Sequence, residues 1–254
     1  MVLQAVFFDA GNTLLYEKPS RFEIYAQAAR RRGLDIASEG MRDLMVRAHQ
    51  ELPREIDGAY RYSEVWFSSY IRKIFHQELG LSSRDLAGVS EELFARFSDP
   101  STFALFPGTI ELLEGLRRRG LAVGIISNWS QRLPGILDRM GVSARVDFVL
   151  ASAIERVEKP AEEIFRRACA RAQVEARDAL HAGDHLEKDI AGALRAGLRA
   201  IQVVHRSETE GSGCGSDPKG SIGSNEEGNR SDPATGALRV GSLWELAGAI
   251  AQVP

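Results

Sequence analysis

Val6-Phe7-Phe8-Asp9-Ala10-Gly11-Asn12-Thr13-Leu14 is the stretch whose reading decides the fold. Residues 3–8 form a nearly unbroken apolar run of strand length, and the run delivers one carboxylate, Asp9, to its C-terminal end. Ala10, Gly11 and Asn12 are small or turn-forming, so the chain reverses there. In open α/β sheets the edge beyond the carboxyl ends of the strands is where ligands bind. A carboxylate at that edge is a candidate nucleophile or metal ligand. The plain alternative is an Asp that only starts a turn.

Downstream, from Pro107, helix and strand alternate. Residues 108–119 predict a helix, and 121–126 a continuous apolar strand ending in Ser127-Asn128. A helix over 133–140 and a strand over 148–150 follow. Residues 161–172 predict a helix with Pro160 at its first turn. Residues 179–182 predict a short strand stopped by Gly183-Asp184, then a helix over 190–196 and a strand over 200–204. Leu238-Arg239-Val240 resumes the sheet edge, and 243–250 is a closing helix with Ser242 as its N-cap. Such alternation means right-handed crossovers and an α/β fold, a Rossmann-like doubly wound parallel sheet between helices.

Between Tyr16 and Pro100 the pattern is helical throughout. Phe22, Tyr25, Ala26 and Ala29 recur at helical spacing, as do Leu44, Met45 and Ala48, then Val65, Tyr70, Ile74 and Phe75, and 86–97 repeats the habit. No convincing strand is expected there. The organisation is therefore a core of 1–15 and 101–254 with an inserted helical cap over 16–100. Arg30-Arg31-Arg32 before Gly33 and Arg117-Arg118-Arg119 before Gly120 read as matching helix C-termini, where cations offset the dipole and Gly caps. Residues 206–236 are rich in Gly, Ser and acidic residues and carry a single Ile222, so a disordered loop within the core is expected.

The chain of 254 residues is long enough for one large core with an insert, and its formal charge of -3 argues against nucleic acid or an anionic membrane as partner. Cys169 and Cys214 match no metal or disulfide spacing, which suits a reducing compartment. No apolar run approaches the roughly 18 residues of a membrane span. The N-terminus lacks a cleavable targeting pattern, and a cytoplasmic protein is expected.

Parallel strands bring their carboxyl ends to one edge, so polar residues distant in sequence converge there. Asp9 with Thr13 four positions on, Ser127, Lys159 before Pro160, and Asp184 with Asp189 five positions on are the candidates. Clustered carboxylates need a cation, and hard oxygen ligands at a partly open site suit Mg²⁺. A lysine and a hydroxyl beside them suit a phosphoryl group. Each has a structural alternative: Thr13 and Ser127 as caps, Lys159 as a surface charge, Asp189 as a first-turn acid favoured by the helix dipole.

Taken in order, Asp9-Ala10-Gly11-Asn12-Thr13, Ser127-Asn128, Lys159-Pro160 and the stretch from Gly183-Asp184 to Asp189 resemble the four motifs of the haloacid dehalogenase-like hydrolase superfamily, in the group with a helical cap after the first strand. The resemblance implies a hydrolase acting on a small phosphorylated substrate. Asp9 would be the nucleophile, forming an aspartyl-phosphate. Thr13, Ser127 and Lys159 would hold phosphoryl oxygens, with Asn128 beside Ser127 in the second motif. Asp184, Asp9 and the backbone carbonyl of Gly11 would ligate Mg²⁺, with Asp189 behind them or acting through water.

One position departs from the family's pattern. Its phosphatases usually carry a second Asp two residues after the nucleophile as general acid and base, and here that residue is Gly11. Such a group is typically worth about 10²–10⁴ in rate. Asn12, where the family usually has Gly, tolerates a left-handed backbone. Glu17, His49, Glu51 and His185 are candidate replacements, and the sequence does not choose among them. Three readings follow: an Mg²⁺-dependent phosphohydrolase impaired or specialised for good leaving groups, a catalytically weak relative that binds phosphate or a partner, and a carbon–halogen hydrolase. Gly183-Asp184 argues against the last, because a metal-free dehalogenase has no use for that carboxylate. Trp129, beside Ser127-Asn128, is a candidate for substrate contact or for packing.

Overall fold

The computed structural model describes residues 2–205, 231–232 and 235–253. The chain opens with β1 (Ala5–Phe8) and β2 (Leu15–Glu17), then α1 (Arg21–Arg30), α2 (Ser38–Glu51), β3 (Glu55–Ile56), β4 (Ala59–Tyr60), α3 (Glu64–Ile71) and α4 (Ser83–Arg96). β5 (Phe103–Leu105) is followed by α5 (Thr109–Arg118), β6 (Ala122–Ser127), α6 (Leu133–Arg139), β7 (Phe148–Ala151), α7 (Ser152–Glu155) and α8 (Glu162–Ala172). The remainder is β8 (Ala179–Gly183), α9 (Gly192–Arg195), β9 (Arg199–Val203), β10 (Leu238–Val240) and α10 (Leu243–Ala251).

The core is a six-stranded parallel sheet in the order β10-β9-β8-β1-β6-β7. β1 lies inside it, with Phe8 level with Ile125 of β6 and Ala182 of β8. Every β1 side chain is buried, as a strand covered on both faces requires. The pleat sends Val6 and Phe8 into a cluster with Leu113, Ile136, Leu246 and Ile250, and sends Ala5 and Phe7 into one with Ile164, Phe165 and Ala168. The two neighbours of β1 lie far downstream on opposite sides, so strand order reverses at β1, the place where such sheets leave a crevice at their carboxyl edge. The α/β doubly wound sheet with an inserted helical cap is the architecture expected from the sequence.

The helices between β2 and β5 bury a cluster of their own, including Ile24, Met45, Trp66, Ile74 and Leu93. Ser20, Ser63 and Ser82 cap α1, α3 and α4 by accepting from backbone N–H groups. Gly33 and Gly120, each after an arginine triplet, take φ of 77°, in line with their expected capping role.

Some expectations need correction. Strands do occur between residues 16 and 100. β2 pairs antiparallel with β5, Leu15 opposite Leu105, forming a stem where the chain leaves and rejoins the core. β3 and β4 form a two-residue hairpin around Asp57 (φ 50°) and Gly58 (φ 73°). An Asp-Gly pair at positive φ is a strong hairpin signal, and it was there to be read. The helix after Lys159 starts at Glu162 with Ala161 at its N-cap, so Pro160 precedes it. The expected loop over 206–236 lies outside the described residues save for Ser231, Asp232, Thr235 and Gly236, where Ser231 bridges Leu238. Among the described residues no helix is long and apolar enough to cross a membrane.

Candidate active site

Asp9 follows β1 directly, and its N–H donates to Ala182 O at 2.9 Å, extending the ladder by one residue. The turn beyond it closes through Leu14 N–H to Ala10 O at 2.9 Å, with Asn12 in the left-handed region at φ 56°. The Asp9 carboxylate therefore sits at the reversal point of the sheet, almost fully buried.

Ser127, the last residue of β6, donates its Oγ–H to Asp9 Oδ1 at 2.8 Å, and Lys159 Nζ donates to the same oxygen at 2.7 Å. Asp9 Oδ2 has no hydrogen bond among the described residues. Lys159 is buried, and its Nζ also reaches Asp189 Oδ1 in a short contact. Asn128 fixes the lysine from its backbone: its Nδ2 donates to Lys159 O and its Oδ1 accepts from Lys159 N–H, each at 2.8 Å. Asp184 follows β8, its carbonyl accepting from Gln202 Nε2 at 3.0 Å and its Oδ2 facing Asn12 Nδ2 at 3.5 Å.

Asp189 is no exposed first-turn acid. It is buried, its Oδ1 accepts from Lys159 and pairs with His181 Nε2 at 2.9 Å, and its Oδ2 accepts from the His185 N–H at 3.0 Å. Gly183 makes the room, because a Cβ there would stand 2.3 Å from Asp189 Cγ. Burial opposes the charge on Asp189, but Lys159 and His181 outweigh it and hold the carboxyl well below the usual range. Burial likewise opposes the ammonium of Lys159, and the Asp189 and Asp9 carboxylates overcome it and raise its pKa. His181 is pushed down by burial and stays neutral more readily than a solvated imidazole. Asp184 is pushed up to about 8, first by desolvation and then by the neighbouring charges of Asp9 and Asp189.

Asp9, Asp184 and Asp189 can each bring a carboxylate oxygen within 4.8 Å of the other two. Three carboxylates this close, one disfavoured in its charged form by the others, suit a hard divalent cation.

A cavity of about 630 Å³ opens over this cluster, between the sheet edge and the cap. Asp9, Gly11, Ser127, Asn128, Lys159, Asp184 and Asp189 line it. Thr13 does not: it is buried one step past the turn, its carbonyl accepts from His205 Nε2, and its hydroxyl has no partner among the described residues. Of the candidate replacement acids, Glu17, His49 and His185 line the cavity, whereas Glu51 faces Lys73 at 2.7 Å outside it. Sequence reasoning missed His181, whose signal was a lone imidazole in an otherwise apolar strand, and Arg21, which had none.

Trp129 lies against Phe103 and Gly11. A Cβ on Gly11 would stand 3.1 Å from the Trp129 ring and 3.9 Å from Arg21 Nη2, so the place of the absent side chain is bounded by an indole and a guanidinium. Cap and core are tied together beside Lys159, where Arg54 and Arg61 reach Glu158 at 3.1 and 3.4 Å.

A doubly wound α/β sheet, a helical insert after its first strand and a buried Asp–Lys–Ser cluster at its carboxyl edge describe the class of this protein. The sequence pattern of the haloacid dehalogenase-like hydrolases matches residues 3–197, and the chain belongs to that family. It is 31% identical over 206 residues to the bovine haloacid dehalogenase-like hydrolase domain-containing protein 3, covering 80% of this chain and 82% of that one. It is also 30% identical over 212 residues to the ribulose-1,5-bisphosphate 5-phosphatase of Halopiger xanaduensis, covering 81% and 87%. The magnesium-bound crystal structure of the HAD-hydrolase YfnB from Bacillus subtilis shares the fold at a TM-score of 0.69 and 17% identity, covering 99% and 100%.

Proposed function

We propose that this hydrolase is an Mg²⁺-dependent phosphohydrolase that acts on a small phosphorylated metabolite through an aspartyl-phosphate on Asp9. The observation that carries the reading is the pair of donors, Ser127 Oγ and Lys159 Nζ, on one oxygen of Asp9. They orient the carboxylate and leave Oδ2 as the attacking atom. Lys159 offsets the charge of Asp9 as an anionic phosphoryl group approaches, and Ser127 and Lys159 then serve its oxygens. Asn128 holds Lys159 in place.

Asp9, Asp184 and the carbonyl of Gly11 would hold Mg²⁺, with Asp189 supporting from behind. Bound there, the ion would supply positive charge to the phosphoryl oxygens. Attack by Oδ2 forms the Asp9 O–P bond and breaks the ester P–O bond, the electron pair leaving with the departing oxygen. Water then hydrolyses the phospho-aspartate, and its proton ends on the phosphate product. The relative named as a ribulose-1,5-bisphosphate 5-phosphatase supports phosphate-ester hydrolysis as the reaction.

Gly11 provides neither acid nor base, and this favours a slow enzyme or a relative that only binds phosphate. A panel of phosphate esters with and without Mg²⁺, run beside Asp9→Asn, separates the two. Mg²⁺-dependent turnover lost in Asp9→Asn supports the enzyme. Phosphate binding without turnover of any ester supports the binding relative.

A further inference from the structure

We propose that Arg21 receives the departing oxygen as an anion, which restricts this site to phosphate compounds, aryl phosphates above all, whose leaving group needs no proton. The inference rests on the phosphohydrolase reading above and adds to it a residue and a substrate class.

Gly11, two residues after Asp9, lines the cavity with it, and the surroundings of a side chain there are defined. The Trp129 ring stands 3.1 Å from the site of a Cβ there, and Arg21 Nη2 stands 3.9 Å from it. Arg21 is the first residue of α1, and its guanidinium lines the cavity. Glu17 Oε1 holds it at 2.7 Å, and the Glu17 side chain is itself only 7% exposed. The pair spans the end of β2 and the start of α1, so the guanidinium is anchored at both the stem and the helix.

A guanidinium in a protein keeps its protons, so it cannot act as a general acid to the leaving group. It can stabilise developing negative charge by oriented hydrogen bonds, as an oxyanion hole does. In this step the bond from phosphorus to the leaving oxygen breaks, its electron pair stays on that oxygen, and no proton moves. The oxyanion departs hydrogen-bonded to Arg21 and is protonated by solvent after release, if at all. Phe22, Phe94, Phe97 and Trp129 line the same cavity and favour a planar apolar leaving group.

The test is kcat/KM across aryl phosphates of graded leaving-group pKa, plus alkyl phosphates, for wild type, Arg21→Gln and Arg21→Lys in Mg²⁺. The wild type should slow as leaving-group pKa rises. Arg21→Gln should lose about 10²–10³-fold on the poorest aryl leaving groups, the scale of one oxyanion donor, and much less on p-nitrophenyl phosphate, so its slope steepens. Arg21→Lys should recover part of that slope. Equal loss across the series, or none, would overturn the proposal and leave the phosphohydrolase standing. Absence of turnover of every ester by the wild type would overturn both. Should Arg21→Gln fail to fold, Glu17→Gln removes the carboxylate that holds the guanidinium at 2.7 Å and keeps the guanidinium's charge: a steeper slope supports the assignment, and an unchanged one overturns it.

Discussion

Asn128 shows how much of a site can depend on a residue that touches none of the reacting atoms. It makes two hydrogen bonds to the backbone of Lys159, and Lys159 Nζ in turn meets Asp9 and Asp189. Asn128→Ala removes both anchors. At about 0.5–1.5 kcal/mol each, their loss should cost about 1–3 kcal/mol of stability. Turnover should fall through kcat more than KM, because the lysine remains but is no longer aimed; an unchanged kcat would mean Lys159 keeps its place without help. At this scale the sequence was informative for a definable reason. Asp9, Ser127 and Asp184 each interrupt an apolar run where a strand ends, so they announce themselves. Thr13 stands in the same motif as Asp9, and the turn buries it. His181 stands out locally only as an imidazole in an apolar strand and takes its role from Asp189, 8 residues on, whereas Arg21 takes its role from Gly11 and Trp129 across the stem, which no local pattern encodes.

Strands and helices place these residues, and one glycine shows how closely. Gly124 lies in the middle of β6, where a Cβ would stand 2.4 Å from the Phe148 ring of β7. Gly124→Ala should therefore overpack that strand pair and cost about 1–3 kcal/mol, read as a lower urea midpoint. Phe148→Leu in the same chain should restore part of it; full tolerance of the single substitution would mean the ring moves freely. The core elements were legible because buried parallel strands are short apolar runs punctuated by turns. The β2–β5 stem was not, since three residues pair with three others at a separation of 90 between Leu15 and Leu105. The β3–β4 hairpin was legible from Asp57-Gly58 and was overshadowed by the helical periodicity around it.

For the whole molecule, the carboxylate cluster links folding, pH and metal. Asp184, pushed up to about 8, lies above the ordinary carboxylate value of about 3.9. A group whose folded pKa is raised binds more protons folded than unfolded, so stability falls as pH rises between the two values. Melting temperature in chelator should therefore decline as pH rises toward 8 more steeply in wild type than in Asp184→Asn. Saturating Mg²⁺ should remove that excess decline, because the cation compensates the charge that burial and the neighbouring carboxylates oppose. A wild-type profile parallel to that of Asp184→Asn, with or without Mg²⁺, would mean that Asp184 keeps its charge in the fold at no cost.

Trapping the phosphoenzyme tests the central claim most directly. With p-nitrophenyl phosphate and Mg²⁺, nitrophenol should appear in a burst followed by slow turnover, because no side chain at position 11 can activate water for the second step. Rapid quenching during the burst should yield one acid-stable, hydroxylamine-labile phosphate on the peptide that contains Asp9, and none in Asp9→Asn. No burst and no label, or label on a residue other than Asp9, would contradict the account.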